Sequence, residues 1–181
     1  MIIKIKPNLY LRTITLEDAN VVFELTDKSR SYLREWLPWL DFTKEVADTS
    51  AYIEGCIKGQ EAQTSHSFVI VFQDEIVGIA GFNTINPSNK IAAIGYWLSE
   101  GAQGHGIMTN TVKALLQYAF VVLQLNKVEI RAAEGNAKSR AIPERLGFTV
   151  EGTIRAAEWL YDHYVNHVVY GMLASEWQDI M

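Results

Sequence analysis

The sequence contains few of the residues that mark special classes of protein. It has one cysteine, Cys56, and four prolines among 181 residues, so it cannot form an internal disulfide and has no proline-rich arm. No apolar run is long enough to cross a membrane, and the first seven residues alternate apolar and charged side chains where a signal peptide would be continuously apolar. We therefore expect a cytoplasmic protein with no membrane partner, in which Cys56 is a buried structural thiol.

An excess of positive charge is also missing. The formal net charge is -5 and the isoelectric point is near 5.4, which argues against a nucleic-acid partner, because phosphate backbones favour clustered Lys and Arg. An amine or a basic peptide is a more natural ligand. With 49% hydrophobic and 20% charged residues, the composition predicts one folded domain spanning residues 1–181.

Short strands and helices follow from the hydrophobic periodicity. The strand pattern covers residues 3–11, 68–72, 76–82, 91–98, 127–131, 149–155 and 163–173. The helix pattern covers residues 15–25, 31–37, 43–60, 109–123 and 136–146. A strand, a long helix and another strand between residues 91 and 131 imply that these two strands are parallel. The sequence therefore predicts an α+β fold with a mixed sheet.

Two glycines, Gly104 and Gly106, stand one residue apart immediately before the long helix. Glycine lets the backbone bend sharply and approach a ligand closely. The first N–H groups of a helix have no intrahelical partner and carry a partial positive charge, so the turn predicts an anion site. The Gly-Lys-Ser/Thr ending of a mononucleotide loop and the third glycine of a dinucleotide fold are both missing. What remains is a pyrophosphate cradle made of backbone N–H groups.

A second motif raises the specificity of the first. Residues 136–148 form an Asn-initiated helix that ends in Gly-Phe, after the parallel strand. Together the two motifs resemble the GNAT superfamily of acyl-CoA-dependent N-acetyltransferases, with matches at Gln103, Gly106, Asn136, Gly147 and Phe148. The resemblance covers nearly the whole chain. It implies a central twisted mixed sheet with two splayed parallel strands and flanking helices, and acetyl-CoA as the acetyl donor.

The resemblance also implies which residues hold the donor. The pantetheine arm would lie against the backbone of Tyr96, Trp97 and Leu98. The pyrophosphate would take N–H groups from the turn, with Asn136 nearby, and the turn consists of Gln103, Gly104, His105, Gly106, Ile107, Met108 and Thr109. Two residues depart from the family pattern: Met108 replaces a small residue, and Pro143 replaces a tyrosine that protonates the departing thiolate in many members. Pro143 also removes a helical donor and should kink or loosen its helix.

Within the superfamily, residues 32–40, 94–98 and 139–148 resemble the Rim-type branch. That branch acetylates the N-terminal amine of ribosomal proteins, including one that begins with serine. This resemblance assigns the thiolate's proton to Ser139 and activation of the amine to Glu158. The pKa of an N-terminal amine is about 8 and that of lysine is about 10.4. A carboxylate acting through water is therefore a sufficient base for an N-terminal amine. We expect Glu158 in the connection between the last two strands. Alternatively, it is only a solvated loop residue or a partner of Arg155, and Ser139 is only a helix-start hydroxyl.

Other residues leave open what the acceptor is. Trp36 and Trp39 flank Pro38 near a loop, where they either contact the acceptor or close the edge of the core. The acceptor is then a protein N-terminus, or a small amine such as a polyamine, an amino acid or an antibiotic. A non-catalytic acyl-CoA-binding module would keep the glycine turn without needing Glu158 or Ser139.

The last third of the chain is rich in aromatic residues and contains two histidines that share a strand face. The aromatic residues favour a homodimer or a higher homo-oligomer, although they could equally fill the core; they are Trp159, Tyr161, Tyr164, Tyr170 and Trp177. His163 and His167 have no apparent third ligand, so we expect no metal site.

Overall fold

A computed structural model of the chain describes residues 1–178, in which one eight-stranded sheet has helices on both faces. The strands are β1 (Ile2–Lys6), β2 (Leu9–Thr13), β3 (His66–Phe72), β4 (Glu75–Asn86), β5 (Ile91–Leu98), β6 (Lys127–Ala133), β7 (Thr149–Leu160) and β8 (His163–Leu173). The helices are α1 (Ala19–Lys28), α2 (Arg30–Arg34), α3 (Val46–Glu61), α4 (Ile107–Gln117), α5 (Ala137–Arg145) and α6 (Ala174–Gln178).

The sheet runs in the order β1-β2-β3-β4-β5-β6-β8-β7. Among the described strands, β5 and β6 are parallel and every other neighbouring pair is antiparallel. Helix α4 makes the crossover between the two parallel strands. The α+β class, the mixed sheet and the parallel pair are confirmed. No helix within residues 1–178 combines the length and the apolar character that crossing a membrane requires.

Successive side chains of β3 point to opposite faces of the sheet and so belong to two separate cores. Phe68 and Ile70 pack on one face of the sheet with α4 and α6. Val69 and Val71 pack on the other face with α1 and α3. Cys56 belongs to this second core and is buried with a free thiol, as predicted.

Among the strands, three differences from the sequence-based prediction are the largest. The run 3–11 is not one strand: β1 and β2 form a hairpin that turns at Pro7 and Asn8, both of which are favourable turn residues. Strand β4 extends to Asn86, beyond its predicted end at residue 82, and β7 extends to Leu160, beyond its predicted end at residue 155. The pairing of β7 with β8 is interrupted between Ile154 and Glu158, where Ala156 has φ of +46°. Such an irregularity lets a strand bend without ending.

The two helices of the predicted site differ from expectation at their ends. Helix α4 begins at Ile107, and after Gln117 it continues as a wider π-helical turn from Tyr118 to Val122. Helix α5 runs through Pro143 as far as Arg145, so the proline does not interrupt it. Gly147, with φ of +79°, follows the end of α5 as the predicted cap.

Candidate active site

Strands β5 and β6 are paired over their first halves and then separate. Their parallel pairing ends at Ile94 opposite Ile130, although β5 continues to Leu98 and β6 to Ala133. On its other edge β5 stays paired with β4 as far as Leu98. Within residues 1–178, one backbone edge of the end of β5 is therefore free of a strand partner. This gap is the splay that the resemblance predicted.

The glycine turn lies directly after this gap. Gly104 has φ of +83° and Gly106 has φ of +67°, a left-handed conformation that L side chains rarely adopt. Gly106 immediately precedes α4, and its carbonyl accepts the hydrogen bond from the N–H of Asn110 at 3.1 Å. The three N–H groups before Asn110 have no partner within the helix and point toward the turn. The turn therefore has the left-handed glycines and the helix-start N–H groups that a cradle needs, and pyrophosphate binding there stays a prediction.

The side chains of the turn leave this cradle open. Met108 is 7% exposed and packs in the core below the turn, so its size does not obstruct the N–H groups. His105 is exposed and stacks against Phe72, with ring centroids 6.1 Å apart. The departure at Met108 is thus explained by burial.

A large cavity of about 1030 Å³ opens between the gap, the turn and α5. This large cavity collects most of the predicted site, namely Trp36, Tyr96, Trp97, Leu98, Gln103, Gly104, Gly106, Ile107, Met108, Thr109, Asn136 and Ser139. His105 is the predicted donor-site residue that is not in its lining. The volume suits a large organic ligand.

Two basic residues that the sequence reading missed stand beside the turn. Lys138 Nζ donates to Gln103 Oε1 at 3.0 Å, and Arg145 Nη1 donates to Thr109 Oγ1 at 2.7 Å. Both residues line the large cavity. They are seven positions apart on α5, about two helical turns, which places them on one face. That spacing was a signal that the sequence offered.

Gln103 carries an unused hydrogen-bonding group at the same place. Its Nε2 is buried and has no hydrogen-bond partner among residues 1–178. A buried donor without an acceptor is unfavourable unless a ligand supplies one. The side chain therefore points to a ligand with acceptor oxygens.

Ser139 lies where α5 meets the end of β5. The Asn136 side chain caps α5 by accepting the N–H of Ser139 at 3.0 Å. The Ser139 Oγ lies 3.4 Å from the Tyr96 hydroxyl, and that hydroxyl donates to the Ser139 carbonyl at 3.1 Å. Burial raises the pKa of Tyr96 to about 12, so the phenol stays protonated and able to donate in alkaline as well as neutral solution.

A small cavity of about 410 Å³ shares Leu37, Tyr96 and Trp97 with the large one. Its other lining residues are Val22, Thr26, Trp39, Thr43, Thr49, Tyr52, Ser67, Ile79, Gly81, Asn83 and Gly95. The rings of Trp39 and Trp97 lie 6.4 Å apart. None of the lining residues in the described part of the chain carries a charged side chain. The small cavity is therefore neutral and partly aromatic.

The segment from Trp36 to Trp39 separates the two cavities. Trp36 is in the wall of the large cavity and Trp39 in that of the small one. The Tyr161 hydroxyl, at the β7–β8 turn, donates to the carbonyl of Leu37, and the Arg34 guanidinium lies 3.7 Å from the Tyr161 ring centroid. Both tryptophans are half-buried in cavity walls, so they are placed to contact ligands.

Glu158 is positioned differently from the other predicted residues. It lies within β7, opposite Val165, rather than in the connection between the last two strands. Its Oε2 is 3.3 Å from His167 Nε2, so its neighbour is His167 and not Arg155. Glu158 is not among the residues that line either cavity.

The other strand histidine is paired at the surface. His163 Nδ1 lies 2.7 Å from Asp162 Oδ1. Within residues 1–178, no group of three His, Cys, Asp or Glu side chains is arranged to hold a metal ion.

These features fit the acetyl-CoA that the resemblance implies. The free edge of β5 can bond the amides of a pantetheine arm, and the N–H groups of the turn can bind a pyrophosphate. Lys138 and Arg145 add positive charge beside the turn, and Gln103 Nε2 adds a donor.

Comparison with known proteins gives a consistent result. The family description "Acetyltransferase (GNAT) domain" matches residues 8–149. The ribosomal-protein-serine acetyltransferase of Escherichia coli is 32% identical over 162 residues, which is 90% of each chain. The spermidine N(1)-acetyltransferase of Escherichia coli is 29% identical over 160 residues, covering 87% of this chain and 82% of that one. Among solved structures, the ribosomal L7/L12 α-N-protein acetyltransferase in complex with coenzyme A superimposes with a TM-score of 0.94 at 29% identity, over 97% of this chain and 99% of that one.

The family match covers more than half of the chain, and the serine acetyltransferase covers nine-tenths of it. The GNAT fold and the Rim-type resemblance are confirmed. The chain therefore belongs to the GNAT family of acetyltransferases and is an acetyl-CoA-dependent N-acetyltransferase.

Proposed function

We propose that this enzyme acetylates the N-terminal α-amine of a protein, and that a ribosomal protein is its acceptor. The relatives that match it over most of their length include an enzyme named for a ribosomal-protein serine and a structure named for ribosomal L7/L12. The observation that carries the proposal is the shared wall of the two cavities, formed by Leu37, Tyr96 and Trp97. Donor and acceptor can meet there without leaving their own cavities.

The chemistry of the small cavity favours an α-amine over a polyamine. A polyamine carries several positive charges, and burying them requires carboxylates. The lining of the small cavity within residues 1–178 offers hydroxyls, an amide and aromatic rings, and no carboxylate. A neutral α-amine followed by a small polar side chain is better suited to it.

Exposed aromatic surface supports a peptide acceptor. Phe42 is 78% exposed and stands between Trp39 and Thr43, two lining residues. Tyr52, also in the lining, is 49% exposed. Large exposed apolar side chains at a cavity mouth are typical of interaction sites. We infer that the residues after the acetylated one pack against Phe42 and Tyr52.

The reaction would proceed by direct attack, without a covalent enzyme intermediate. The neutral amine forms the new C–N bond, the C–S bond of the thioester breaks, the amine loses one proton and the sulfur gains one. We propose that Glu158, beside His167, is the base that takes the amine proton. Since Glu158 lies outside both cavity linings, a water molecule would carry the proton to it. Ser139, in the wall of the large cavity, would give its proton to the sulfur.

An acceptor screen tests the proposal. Release of free thiol from acetyl-CoA is measured with N-terminal serine peptides, lysine-containing peptides with blocked N-termini, and spermidine. We expect turnover with the serine peptides. Turnover with spermidine alone would refute the protein acceptor and favour the small-amine alternative.

The two catalytic assignments have their own test. Glu158→Gln and Ser139→Ala should each lower kcat by about 100-fold while acetyl-CoA binding, measured by calorimetry, is retained. Arg155→Gln, a neighbouring exposed change on β7, is the matched control. Full turnover by Glu158→Gln with unchanged acetyl-CoA binding would show that the base is another group.

We also propose that two copies associate through β7. This strand is an edge of the sheet and is exposed along most of its length, including Val150, Ile154 and Trp159. Tyr170 and Trp177 are buried in the core and so do not contribute. Trp159→Glu should shift the mass measured by light scattering from dimer to monomer. A monomeric wild-type protein would exclude this surface.

We infer a cytoplasmic location from the proposed substrates and the free thiol. Acetyl-CoA and ribosomal proteins are cytoplasmic, and Cys56 is a buried thiol without a disulfide partner. Fractionation of cells that express the tagged chain tests this inference, and recovery outside the cytoplasmic fraction would contradict it.

A further inference from the structure

Pro143 leaves one carbonyl of α5 without its helical donor. In an α-helix the N–H of residue i bonds the carbonyl of residue i−4, and proline has no N–H. The carbonyl opposite Pro143 is that of Ser139. Both residues lie inside α5, and Pro143 is buried. Ser139 is half-buried, and a carbonyl withdrawn from water without a donor is unfavourable, so this position needs a substitute.

The substitute comes from the sheet. The Tyr96 hydroxyl donates to the Ser139 carbonyl at 3.1 Å. The same phenol oxygen lies 3.4 Å from the Ser139 hydroxyl. One phenol thus contacts both the backbone and the side chain of Ser139. Tyr96 also belongs to the wall shared by the two cavities, which is where the proposed reaction takes place.

From this arrangement we propose that Tyr96 is the positioning residue for Ser139, and that Pro143 makes this role possible by freeing the Ser139 carbonyl. The proposal rests on the proposed function in that Ser139 is taken as the donor to the leaving sulfur. If residue 143 had an N–H, that group would bond to the Ser139 carbonyl. Tyr96 would then keep only its 3.4 Å contact with the Ser139 hydroxyl. That contact is long for an O–H···O bond, so the Ser139 hydroxyl can turn to the sulfur at little cost.

The arrangement also accounts for the departure from the family pattern at position 143. Many members of the superfamily are expected to carry a tyrosine there as the acid. Here Pro143 cannot act as an acid, and Ser139 takes that role. Because Pro143 leaves the Ser139 carbonyl free, Tyr96 of β5 can bond to Ser139. The acid and the proline are therefore parts of one unit with Tyr96.

A stability experiment on the ligand-free protein tests the structural half. Tyr96→Phe should lower Tm by about 3 °C or more, because the Ser139 carbonyl loses the phenol donor that takes the place of the missing helical N–H. In a Pro143→Ala background, the N–H of residue 143 serves that carbonyl, and Tyr96→Phe should then lower Tm by less than about 1 °C. Equal Tm losses in the two backgrounds would overturn the proposal.

A kinetic experiment tests the positioning half. Tyr96→Phe should lower kcat about tenfold and leave the KM for acetyl-CoA within about twofold of wild type. In a Ser139→Ala background, Tyr96→Phe should have no further effect on kcat, since the two residues act together. Tyr118→Phe, a tyrosine packed against Phe68 and Phe82, is the matched control and should retain wild-type kcat.

The outcomes separate this inference from the proposed function. A Tyr96→Phe loss that multiplies in full with that of Ser139→Ala would show independent action and overturn the positioning role. Absence of wild-type turnover with every acceptor would count against the proposed function alone, because the Tm comparison does not depend on turnover.

Discussion

The two cavities are built from different materials, although they share one wall. The large cavity has a backbone framework, namely a gap between parallel strands, a glycine turn and the start of a helix, to which the side chains of Gln103, Lys138 and Arg145 are added. The small cavity is made by side chains from α1, α3, three strands and the segment around Trp39. A backbone site recognises a ligand that many enzymes have in common. A side-chain site can change with the acceptor, so under the proposed function the small cavity would select what the enzyme acetylates.

The sharpest way to break this comparison is to put a side chain into the backbone site. Gly106→Val requires a β-branched residue at φ of +67°, and the strain should weaken acetyl-CoA binding by about 10- to 100-fold. The nearest atom to the added Cβ would be Asn110 Nδ2 at 3.5 Å, an ordinary contact, so conformation and not collision is responsible.

Calorimetric titration measures the effect. Gly101→Val is the matched control, because a Cβ there meets nothing within 4 Å. An unchanged acetyl-CoA affinity in Gly106→Val would refute the backbone character of the large cavity.

Removing an aromatic wall should affect the small cavity alone. Trp39→Ala should raise the KM for the acceptor peptide about tenfold, because the ring is part of the lining and faces Trp97. Affinity for acetyl-CoA should stay within about twofold of wild type. Val122→Ala, at a position 61% exposed and outside both cavity linings, is the control for loss of a large apolar side chain. A parallel loss of acetyl-CoA affinity would mean that the cavities are not separable.

Charge at the turn should give a smaller effect on the large cavity. Arg145→Gln removes a cation next to Thr109 and should weaken acetyl-CoA binding about fivefold, with a reduced dependence on salt. Binding is measured at two ionic strengths, with Arg155→Gln as a control of equal charge change. If both variants lose the same affinity, the effect comes from net charge and not from a contact at the turn.

The smallest expected effect concerns the hydrogen bond from Tyr161 to Leu37, which supports the wall shared by the two cavities. Tyr161→Phe removes the hydroxyl that donates to Leu37 and should raise the acceptor KM about two- to threefold with little change in acetyl-CoA affinity. Tyr164→Phe, at a position 64% exposed, is the matched control. A larger change in acetyl-CoA affinity than in acceptor KM would mean that this hydrogen bond supports the large cavity and not the small one.

The same contrast explains what the sequence could predict. The glycine turn, α4 and the crossover depend on local rules, namely glycine conformation, helical period and connection length, and these can be read from neighbouring residues. Ten of the eleven residues predicted to hold the donor therefore line the large cavity, all but His105. The basic pair Lys138 and Arg145 was missed: its spacing indicates one face of α5, but that this face meets the turn follows only from the docking of α5 beside α4.

Other errors arose where distant residues override a local pattern. The alternation of residues 3–11 continues through a hairpin, because both of its strands obey the same period of two. Glu158 was expected in a connection, but pairing with β8 holds it inside β7 beyond the irregularity at Ala156. The kink expected at Pro143 could not be judged from α5 alone, since the compensating hydroxyl comes from Tyr96.

The separation of β5 from β6 leaves unpaired backbone in the interior of a sheet, a place where most proteins satisfy every such group. A donor molecule lying there would act as a temporary strand and complete the sheet. Its binding would then be coupled to folding, and at a concentration of 100 times Kd it would add about 2.7 kcal/mol to the free energy of unfolding. The cellular supply of acetyl-CoA would thereby govern not only the rate of this enzyme but also how long each molecule survives proteolysis.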